Sequence, residues 1–309
     1  MGGVSVLGGS PGTRETDLLD PTKTVQIINA VCLSGGSAFG LDAASGVMKA
    51  MEEKGLGVPV GVTVVPIVPA AVIFDLGRGN DKALGNKEHR PNFNSGYEAT
   101  QNAFKGLAWK DGNTGAGMGA RSCRMKGGLG SYCYKYGDLY VGAIVVLNSN
   151  GSAVDPKTNE IITSRIDTKT NTFINREEMV VEAADVPQAK QNTTIGCIIT
   201  NAVLTQANAN KLAQMAHDGY ARAIRPTHTP SDGDCIFTMA TGKAQTSSTT
   251  WGQQSANMAM LGVLAVNAME NAILSAARNA ESVVEPDGTV IPGAATLKAN
   301  GTTPKQPQQ

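Results

Sequence analysis

The residue of this chain best suited to nucleophilic chemistry is a threonine in the segment QNTTIGCIITN, Gln191 to Asn201. The hydroxyl of Thr193 is a poor nucleophile while its own nitrogen belongs to a peptide bond. Cleavage of the bond after Asn192 would free an α-amine, whose pKa of about 8 lets it accept the hydroxyl proton. A single backbone cleavage would therefore activate Thr193. Taken alone, an Asn-Thr-Thr tripeptide also fits the polar edge of a strand.

Two carboxylates further along the chain could orient such an amine. They are Asp232 and Asp234 in the segment SDGDCIF. In an extended segment, side chains two positions apart lie on one face, so both carboxylates could contact the amine and hold its proton. The alternative is an ordinary turn, because Ser, Asp and Gly all favour turns. The pattern does not fit an EF-hand calcium loop.

Other catalytic classes lack the residues that they need. The run from Gly35 to Gly40 places Phe39 where a serine-hydrolase elbow requires its last glycine. A histidine-based triad or metal site has little support, because no two histidines have a metal-binding spacing such as HExxH. The chain has three histidines, and we expect each to have a structural role or to lie at the surface: His89, His217 and His228.

Glycine is concentrated between Gly112 and Gly130. The run GAGMG, Gly115 to Gly119, lacks the third glycine of a dinucleotide-binding fingerprint, and the chain contains no GxxxxGK[ST] phosphate loop. Glycine-rich backbone can still bind a developing oxyanion through its N–H groups, which acyl transfer requires. No metal or organic cofactor is therefore needed for the chemistry that Thr193 offers.

Composition excludes several partners. Lys and Arg number 26, as do Asp and Glu, so the absence of net charge argues against nucleic acid. The longest uncharged run, Gly55 to Phe74, contains Pro59, Pro66 and Pro69, which would break a membrane-spanning helix. We expect two short buried strands with a turn there.

The 5 cysteines are scattered, with no CxxC pair, which predicts reduced thiols rather than disulfides or structural zinc. No leader precedes Gly2, so we expect a cytoplasmic protein.

The elements that must position these residues follow from periodicity. Apolar spacing predicts helices over Ala38 to Lys54, Gln206 to Ile224 and Ser255 to Ala280. A strand is predicted over Leu139 to Leu147, and a buried strand over Thr193 to Leu204. Asn150 to Gln191 reads as a polar surface excursion, and residues 286–309 as a disordered tail. This alternation of strands and helices indicates a layered α/β protein.

Six segments together resemble a known family, the autoprocessing N-terminal-nucleophile peptidases that include L-aminopeptidase/D-esterases, β-peptidyl aminopeptidases and the nylon-oligomer endohydrolase. The segments are GGSPGTRETDLLDP (Gly8 to Pro21), CLSGGSAFGLDAASGV (Cys32 to Val47), VPIVPAAVIFDL (Val65 to Leu76), GAGMGAR to MKGGLGS (Gly115 to Ser131), NTTIGCIITN and DGDCIF. The resemblance implies a four-layered α/β/β/α sandwich in one domain, residues 1–285. It also implies self-cleavage into fragments 1–192 and 193–309, with a tetramer of processed heterodimers as the common assembly.

The resemblance also assigns roles to residues. It makes Thr193 the nucleophile and Asn192 the residue on the other side of the cleaved bond, with Asp232 and Asp234 as assisting acids. A lysine and an asparagine that help build the site correspond to Lys126 and Asn148. Arg124 is the alternative to Lys126 under a different gap placement.

Two departures from the family pattern bear on substrate and folding. Phe74 stands where some members have an active-site tyrosine, and with Gly35 and Gly36 it is expected to line the substrate pocket. Members also usually carry several dozen residues before GGSPGTRETDLL, so we expect an upstream strand pair to be missing.

Three functions remain open at this stage. An aminopeptidase or amidase on short peptides, amides or esters comes first, and an endo-acting hydrolase of linear oligoamides such as 6-aminohexanoate oligomers comes second. The third is an unprocessed, inactive homologue that acts as a binding or assembly protein.

Overall fold

A computed structural model describes residues 1–79, 89–175, 192–244 and 251–307, with the backbone alone for 251–256. The strands are β1 Gly2–Val6, β2 Thr13–Arg14, β3 Cys32–Ser34, β4 Val58–Pro59, β5 Val64–Val65, β6 Ala70–Val72, β7 Arg121–Ser122, β8 Met125–Lys126, β9 Gly128–Tyr136, β10 Leu139–Leu147, β11 Ser152–Val154, β12 Ile161–Thr163, β13 Ile166–Asp167, β14 Thr172–Phe173, β15 Ile195–Ala202, β16 Ile224–Arg225, β17 Cys235–Ala244, β18 Val283–Val284 and β19 Val290–Ile291. The α-helices are α1 Ala43–Glu52, α2 Phe93–Phe104, α3 Gln206–Ala223, α4 Trp251–Arg278 and α5 Ala294–Ala299. Short 3₁₀ helices cover Asp17–Leu19, Ser37–Asp42 and Gly115–Gly117.

A five-stranded sheet in the order β1-β17-β15-β10-β9 forms the centre of the molecule. Strands β15 and β17 run parallel, and the other neighbouring pairs are antiparallel. Helices α3 and α4 cover one face, where alternate residues of β10, such as Val141, Ala143 and Val145, are buried. This alternation is the period-2 pattern of a strand whose two faces are distinct.

The opposite face of the sheet is also buried. Its side chains, which include Val146, Cys197 and Phe237, form a second core with Ala71 and Ile73. Ala71 belongs to a three-stranded sheet in the order β2-β6-β3, and the outer side of that sheet packs against α1, which in turn packs against α2. The layers are therefore helix, sheet, sheet and helix, as the four-layered prediction requires.

The helix that precedes the central strands starts later than its periodicity predicts. The predicted helix begins at Ala38, but Ser37–Asp42 is 3₁₀ and α1 begins at Ala43. Gly36 and Ser37 have positive φ values of 84° and 53°, which turn the chain sharply from β3 into this segment. The helix predicted over Gln206 to Ile224 is present as α3, whose Thr205 hydroxyl accepts the N–H of Asn208 at 3.1 Å as an N-cap.

Two expectations need correction. The run from Gly55 to Phe74 contains a half-exposed hairpin, β4 and β5, and only its last strand, β6, is buried. The prediction of disorder after Glu285 is wrong for residues 286–307, which contain β19 and α5. Hydrogen bonds tie this tail to the domain, because the Gln306 side chain accepts the N–H of Ile161 at 2.8 Å and donates to its carbonyl at 3.0 Å. Polar composition hid these specific contacts.

The remaining observations concern the polar stretch, the cysteines and the longest helix. The polar stretch predicted over Asn150 to Gln191 carries strands β11 to β14, and its residues 176–191 lie outside the described chain. All 5 cysteines are free thiols. Among the described residues, Asn257–Arg278 is long and apolar enough to span a membrane, but 56% of its most apolar window is buried, and the segment packs against β9 and β10 as a core helix.

Candidate active site

The Asn192–Thr193 junction lies at the end of the central sheet where two parallel strands begin. Ile195 of β15 pairs with Cys235 of β17, so the residues that precede each strand meet at one edge. Asn192 forms an isolated parallel bridge with Asp232 just before the two strands start. The topology therefore brings together two segments that are far apart in sequence.

The carbonyl group of Asn192 is polarised by its surroundings. The N–H of Gly233 donates to this oxygen at 3.1 Å, and the Thr193 Oγ1 hydroxyl lies 2.5 Å from it. The N–H of Thr193 donates to the carbonyl of Asn148 at 2.7 Å. Thr193 is only 3% exposed. A hydroxyl nucleophile, the carbonyl that it would attack and a backbone donor to that carbonyl thus occupy one buried site.

Gly233 is required by close approach rather than by backbone conformation. A Cβ placed on it would lie 3.0 Å from Thr193 Oγ1 and 2.7 Å from the carbonyl oxygen of Ser10. Contacts that short with backbone cannot relax cheaply. The glycine therefore lets the 232–234 segment touch the nucleophile.

Asp234 is buried and fixes the residue after the nucleophile. One carboxylate oxygen accepts the N–H of Thr194 at 2.7 Å. The other accepts the hydroxyl of Thr227 at 3.0 Å and lies 2.8 Å from Nδ1 of His228. Asp234 therefore joins the start of β15 to the turn that precedes β17.

Asp232 is equally buried but less completely paired. Its Oδ2 accepts the N–H and the hydroxyl of Thr229 at 3.0 and 2.6 Å, whereas its Oδ1 has no hydrogen-bond partner among the described residues. Burial, followed by the negative charge of Asp234, raises the pKa of Asp232 to about 6. Near neutral pH this carboxyl can therefore both hold and release a proton. Both interpretations of the segment have a place here, because a hydrogen-bonded turn leads directly into the strand.

Asn148 contacts the nucleophile through its main chain. Its carbonyl accepts the N–H of Thr193, while its side-chain Oδ1 accepts from Arg78 at 2.5 Å and from the N–H of Arg121 at 3.0 Å. Its Nδ2 donates to the carbonyl of Phe74 at 3.2 Å. These hydrogen bonds fix the Asn148 side chain and thereby position the carbonyl of the same residue, which faces Thr193.

Lys126 is 1% exposed and supports the glycine-rich segment. Its ammonium donates to the carbonyls of Gly117, Ala120 and Gly127 at 2.5, 3.0 and 2.9 Å, which uses all three N–H donors. Burial, assisted by neighbouring arginines, lowers its pKa to about 7. The alternative Arg124 is exposed. No hydrogen bond of Lys126 to Thr193 occurs within the described residues, so the structure places this lysine behind the site.

A cavity of about 650 Å³ lies beside Arg78. Its wall includes Gly35, Gly36 and Lys126, and the N–H of Gly36 donates to Asp75 at 2.6 Å. Arg78, also in the wall, connects the cavity to Asn148 and thus to the nucleophile. Burial lowers the pKa of Arg78 to about 10. Phe74 is not among the residues that line this cavity, so its role in a substrate pocket stays a prediction.

An ion pair closes one side of this cavity, between Arg121 and Glu285. Together with Asp75 and Arg78, it places charges of both signs on a wall that is otherwise largely apolar. Such a combination of apolar surface and a few oriented polar groups is typical of a ligand pocket. Among the described residues, no group of three His, Cys, Asp or Glu side chains could hold a metal.

Sequence reasoning missed four residues that the structure brings to the site or its cavity. They are Asp75, Arg78, His228 and Gly233. Gly233 lies within the DGDCIF segment, where the sequence indicates no chemical role for it, and the prediction for His228 is a structural or surface position. Neither a spacing nor a local pattern in the sequence indicates that His228 contacts Asp234.

Comparison with known proteins gives the class. Residues 1–291 match Peptidase family S58, and the chain belongs to this family. It is 41% identical over 302 residues to an uncharacterized aminopeptidase of Mycobacterium leprae, covering 92% of this chain and 80% of the relative. It is 31% identical over 269 residues to a 6-aminohexanoate-oligomer endohydrolase of Kocuria sp., covering 81% and 72%. The chain is thus a peptidase, and the predicted family resemblance is confirmed.

Solved structures agree on the fold. A β-aminopeptidase of Burkholderia sp. aligns with a TM-score of 0.63 at 20% identity, covering 99% of this chain and 82% of that one. The L-aminopeptidase D-Ala-esterase/amidase of Ochrobactrum anthropi, described as a variant of the Ntn-hydrolase fold, aligns at 0.61 and 17%, covering 98% and 81%. The fold class predicted from sequence is confirmed.

Proposed function

We propose that this chain cleaves itself between Asn192 and Thr193, and that the freed Thr193 hydrolyses amide bonds at the amino terminus of short peptides or amides. One observation carries the proposal. The Thr193 hydroxyl lies 2.5 Å from the oxygen of the carbonyl that it would attack, and Gly233 donates an N–H to the same oxygen at 3.1 Å.

Self-cleavage would proceed by an acyl shift. Thr193 Oγ1 attacks the carbonyl carbon of Asn192, the C–N bond breaks, and the hydroxyl proton ends on the released nitrogen. Water then hydrolyses the ester to leave the carboxylate of Asn192 and a free Thr193. The N–H of Gly233 would stabilise the oxyanion, and one such donor contributes on the order of 3 kcal/mol.

The cleaved enzyme would keep most of this geometry. The Thr193 nitrogen already contacts the carbonyl of Asn148 at 2.7 Å, which would hold the new amine beside its own hydroxyl. The amine would then take the hydroxyl proton as general base. Asp232, with one oxygen unpaired among the described residues, would stabilise the protonated amine. Lys126 would keep the glycine-rich segment in place from behind.

The two fragments would stay together after cleavage. Strand β15 of the second fragment pairs with β10 of the first, and β17 pairs with β1. Both pairs lie in the central sheet, between buried cores. We also expect the processed heterodimers to form a tetramer, which light scattering measures.

Among the possible activities, the site best supports that of an aminopeptidase, which acts at the free amino terminus of its substrate. An exo-acting enzyme needs a carboxylate to hold the substrate ammonium, and Asp75 and Glu285 both line the cavity that Arg78 connects to Asn148. The aminopeptidase and β-aminopeptidase names among the relatives support this choice. The alternative, endo-hydrolysis of linear oligoamides, is supported by the endohydrolase relative of Kocuria sp..

The cleavage is tested on a denaturing gel with amino-terminal sequencing of the products. Wild-type protein should give two fragments, the second beginning Thr-Thr-Ile-Gly-Cys-Ile, and Thr193→Val should stay intact. Thr194→Val is a matched control, because the Thr194 hydroxyl has no hydrogen-bond partner among the described residues, and it should cleave normally. A wild-type chain that stays intact as long as Thr193→Val would reject self-cleavage and favour an inactive binding homologue.

The substrate class is tested with matched substrates. Amino-acid amides, β-peptides and 6-aminohexanoate oligomers are offered with a free or an acetylated amino terminus. An exo-acting enzyme should lose activity upon acetylation, whereas equal rates on free and acetylated oligomers would establish the endo-acting alternative.

A further inference from the structure

A histidine outside the predicted catalytic set contacts the site through Asp234. His228 lies in the turn before β17, and both its backbone N–H and its ring Nδ1 approach Oδ2 of Asp234, at 3.0 and 2.8 Å. Its side chain is 20% exposed and that of Asp234 is 3% exposed. Because a carboxylate oxygen accepts, this geometry assigns the ring proton to Nδ1.

The carboxylate carries the contact onward to the nucleophile. Its other oxygen, Oδ1, accepts the N–H of Thr194 at 2.7 Å, and Thr194 is bonded directly to Thr193. A carboxyl group is planar and rigid, so a donor that fixes one oxygen also fixes the other. The path from the ring of His228 to the backbone of the nucleophile therefore contains only two hydrogen bonds.

Neighbouring rings hold His228 in this orientation. His217 and Tyr220 of α3 contact its ring, with centroids 4.7 and 5.9 Å away. His217 is itself held through Nε2, 3.1 Å from the carbonyl of Ser5, and burial lowers its pKa to about 4, so it stays neutral near pH 7. Nε2 of His228 is buried and has no hydrogen-bond partner in the part of the chain that the structure describes. Among the described residues, the ring of His228 therefore makes its hydrogen bond through Nδ1.

We propose that His228 is a positioning residue for the reaction of Thr193. Its Nδ1–H orients Asp234, which then holds the Thr194 N–H and keeps Thr193 Oγ1 beside the Asn192 carbonyl. After cleavage the same contacts would keep the new amine and hydroxyl together. This inference rests on the proposed function, since it assigns a residue to the same site.

Three variants separate the donor from the bulk of the ring and from the backbone conformation. In His228→Asn the amide nitrogen occupies the δ position and can replace Nδ1, and Asn readily adopts the positive φ of 55° found here. His228→Leu keeps apolar volume but removes the donor. His228→Gly also removes the donor, and it accepts this φ without the strain that Leu adds. We expect the Leu variant to self-cleave and turn over substrate about 10- to 100-fold more slowly, as loss of a hydrogen bond to a charged group implies. The Asn variant should stay within a few-fold of wild type.

The readouts are the half-time of self-cleavage on a gel and kcat and KM for the processed enzyme. A positioning role predicts a lower kcat with little change in KM. The proposal is overturned if the Leu variant cleaves at the wild-type rate, if Asn and Leu are equally slow, or if His228→Gly cleaves as fast as His228→Asn. If the Leu variant does not fold, His228→Gln replaces it, since its amide nitrogen lies at the ε position and should not rescue. Failure of wild-type protein to cleave would instead reject the proposed function itself.

Discussion

Replacing Asp232 by asparagine should raise stability near neutral pH while it removes activity. Asp232 is 2% exposed, and its pKa in the folded chain is about 6, against an ordinary value of 3.8. The folded chain therefore binds this proton more tightly than the unfolded chain does. Between about pH 4 and pH 6 the free energy of unfolding should fall as pH rises, because the folded state holds more protons there.

The size of the effect follows from the two pKa values. At about 1.4 kcal/mol per pH unit, their difference corresponds to about 3 kcal/mol, lost between pH 4 and pH 6 and constant above. An asparagine side chain does not titrate, so Asp232→Asn abolishes this loss. Its new N–H₂ group would take the place of Oδ1, which has no partner among the described residues, at a cost of about 1–3 kcal/mol. The net gain at pH 7.5 should thus be about 0–2 kcal/mol, and the variant should be less stable than its parent at pH 4.

The assay is urea denaturation followed by tryptophan fluorescence at pH 4, 5, 6 and 7.5. Both proteins carry Thr193→Val, so the chain stays uncleaved and its length is constant. The difference in unfolding free energy between variant and parent should change by about 3 kcal/mol across this range. A difference that is independent of pH would refute a raised pKa for Asp232. In the Thr193 background the same substitution should abolish turnover of an amide substrate.

Two further predictions concern residues around the nucleophile. Gly233→Ala should slow self-cleavage at least about 100-fold, because its Cβ would displace Thr193 Oγ1 or the Ser10 carbonyl and so disturb a step in which each oxyanion donor contributes on the order of 3 kcal/mol. The control is Gly142→Ala, whose Cβ would make only ordinary contacts of 3.4 Å or more. Equal half-times of self-cleavage for the two variants on a gel would contradict the prediction. Lys126→Met should abolish a rise in unfolding free energy between pH 7 and pH 9.5. The folded lysine loses its proton above about 7 while the unfolded one keeps it to 10.5, so stability in the parent rises by about 3 kcal/mol over this range. Urea denaturation at the two pH values measures this rise, and an unchanged rise in the Met variant would show that another group causes it.

Local pattern was informative wherever one element decided the outcome. The strand at β15 and the helix α3 follow from β-branched and 3.6-residue periodicity, and their observed bounds lie within two residues of the predicted ones. The 3₁₀ segment Ser37–Asp42 was missed because its apolar spacing continues that of α1. The sequence did not indicate that residues 286–307 are structured, because their structure depends on side-chain contacts with distant strands, such as those of Gln306 with Ile161.

The sequence by itself determined the chemistry that this protein can offer. An Asn-Thr bond before a strand, two aspartates in DGD, and long ordered segments shared with a family were enough to nominate the nucleophile and its class. Tertiary structure decided the rest, because β15 and β17 are parallel neighbours in one sheet. That pairing brings Gly233 to the Asn192 carbonyl, and it brings Asp234 to Thr194. Contacts between residues this far apart in sequence arise from the order of strands in the sheet, and strand order leaves no local pattern in the sequence. The contact of the His228 ring with Asp234 is likewise visible only in the tertiary structure.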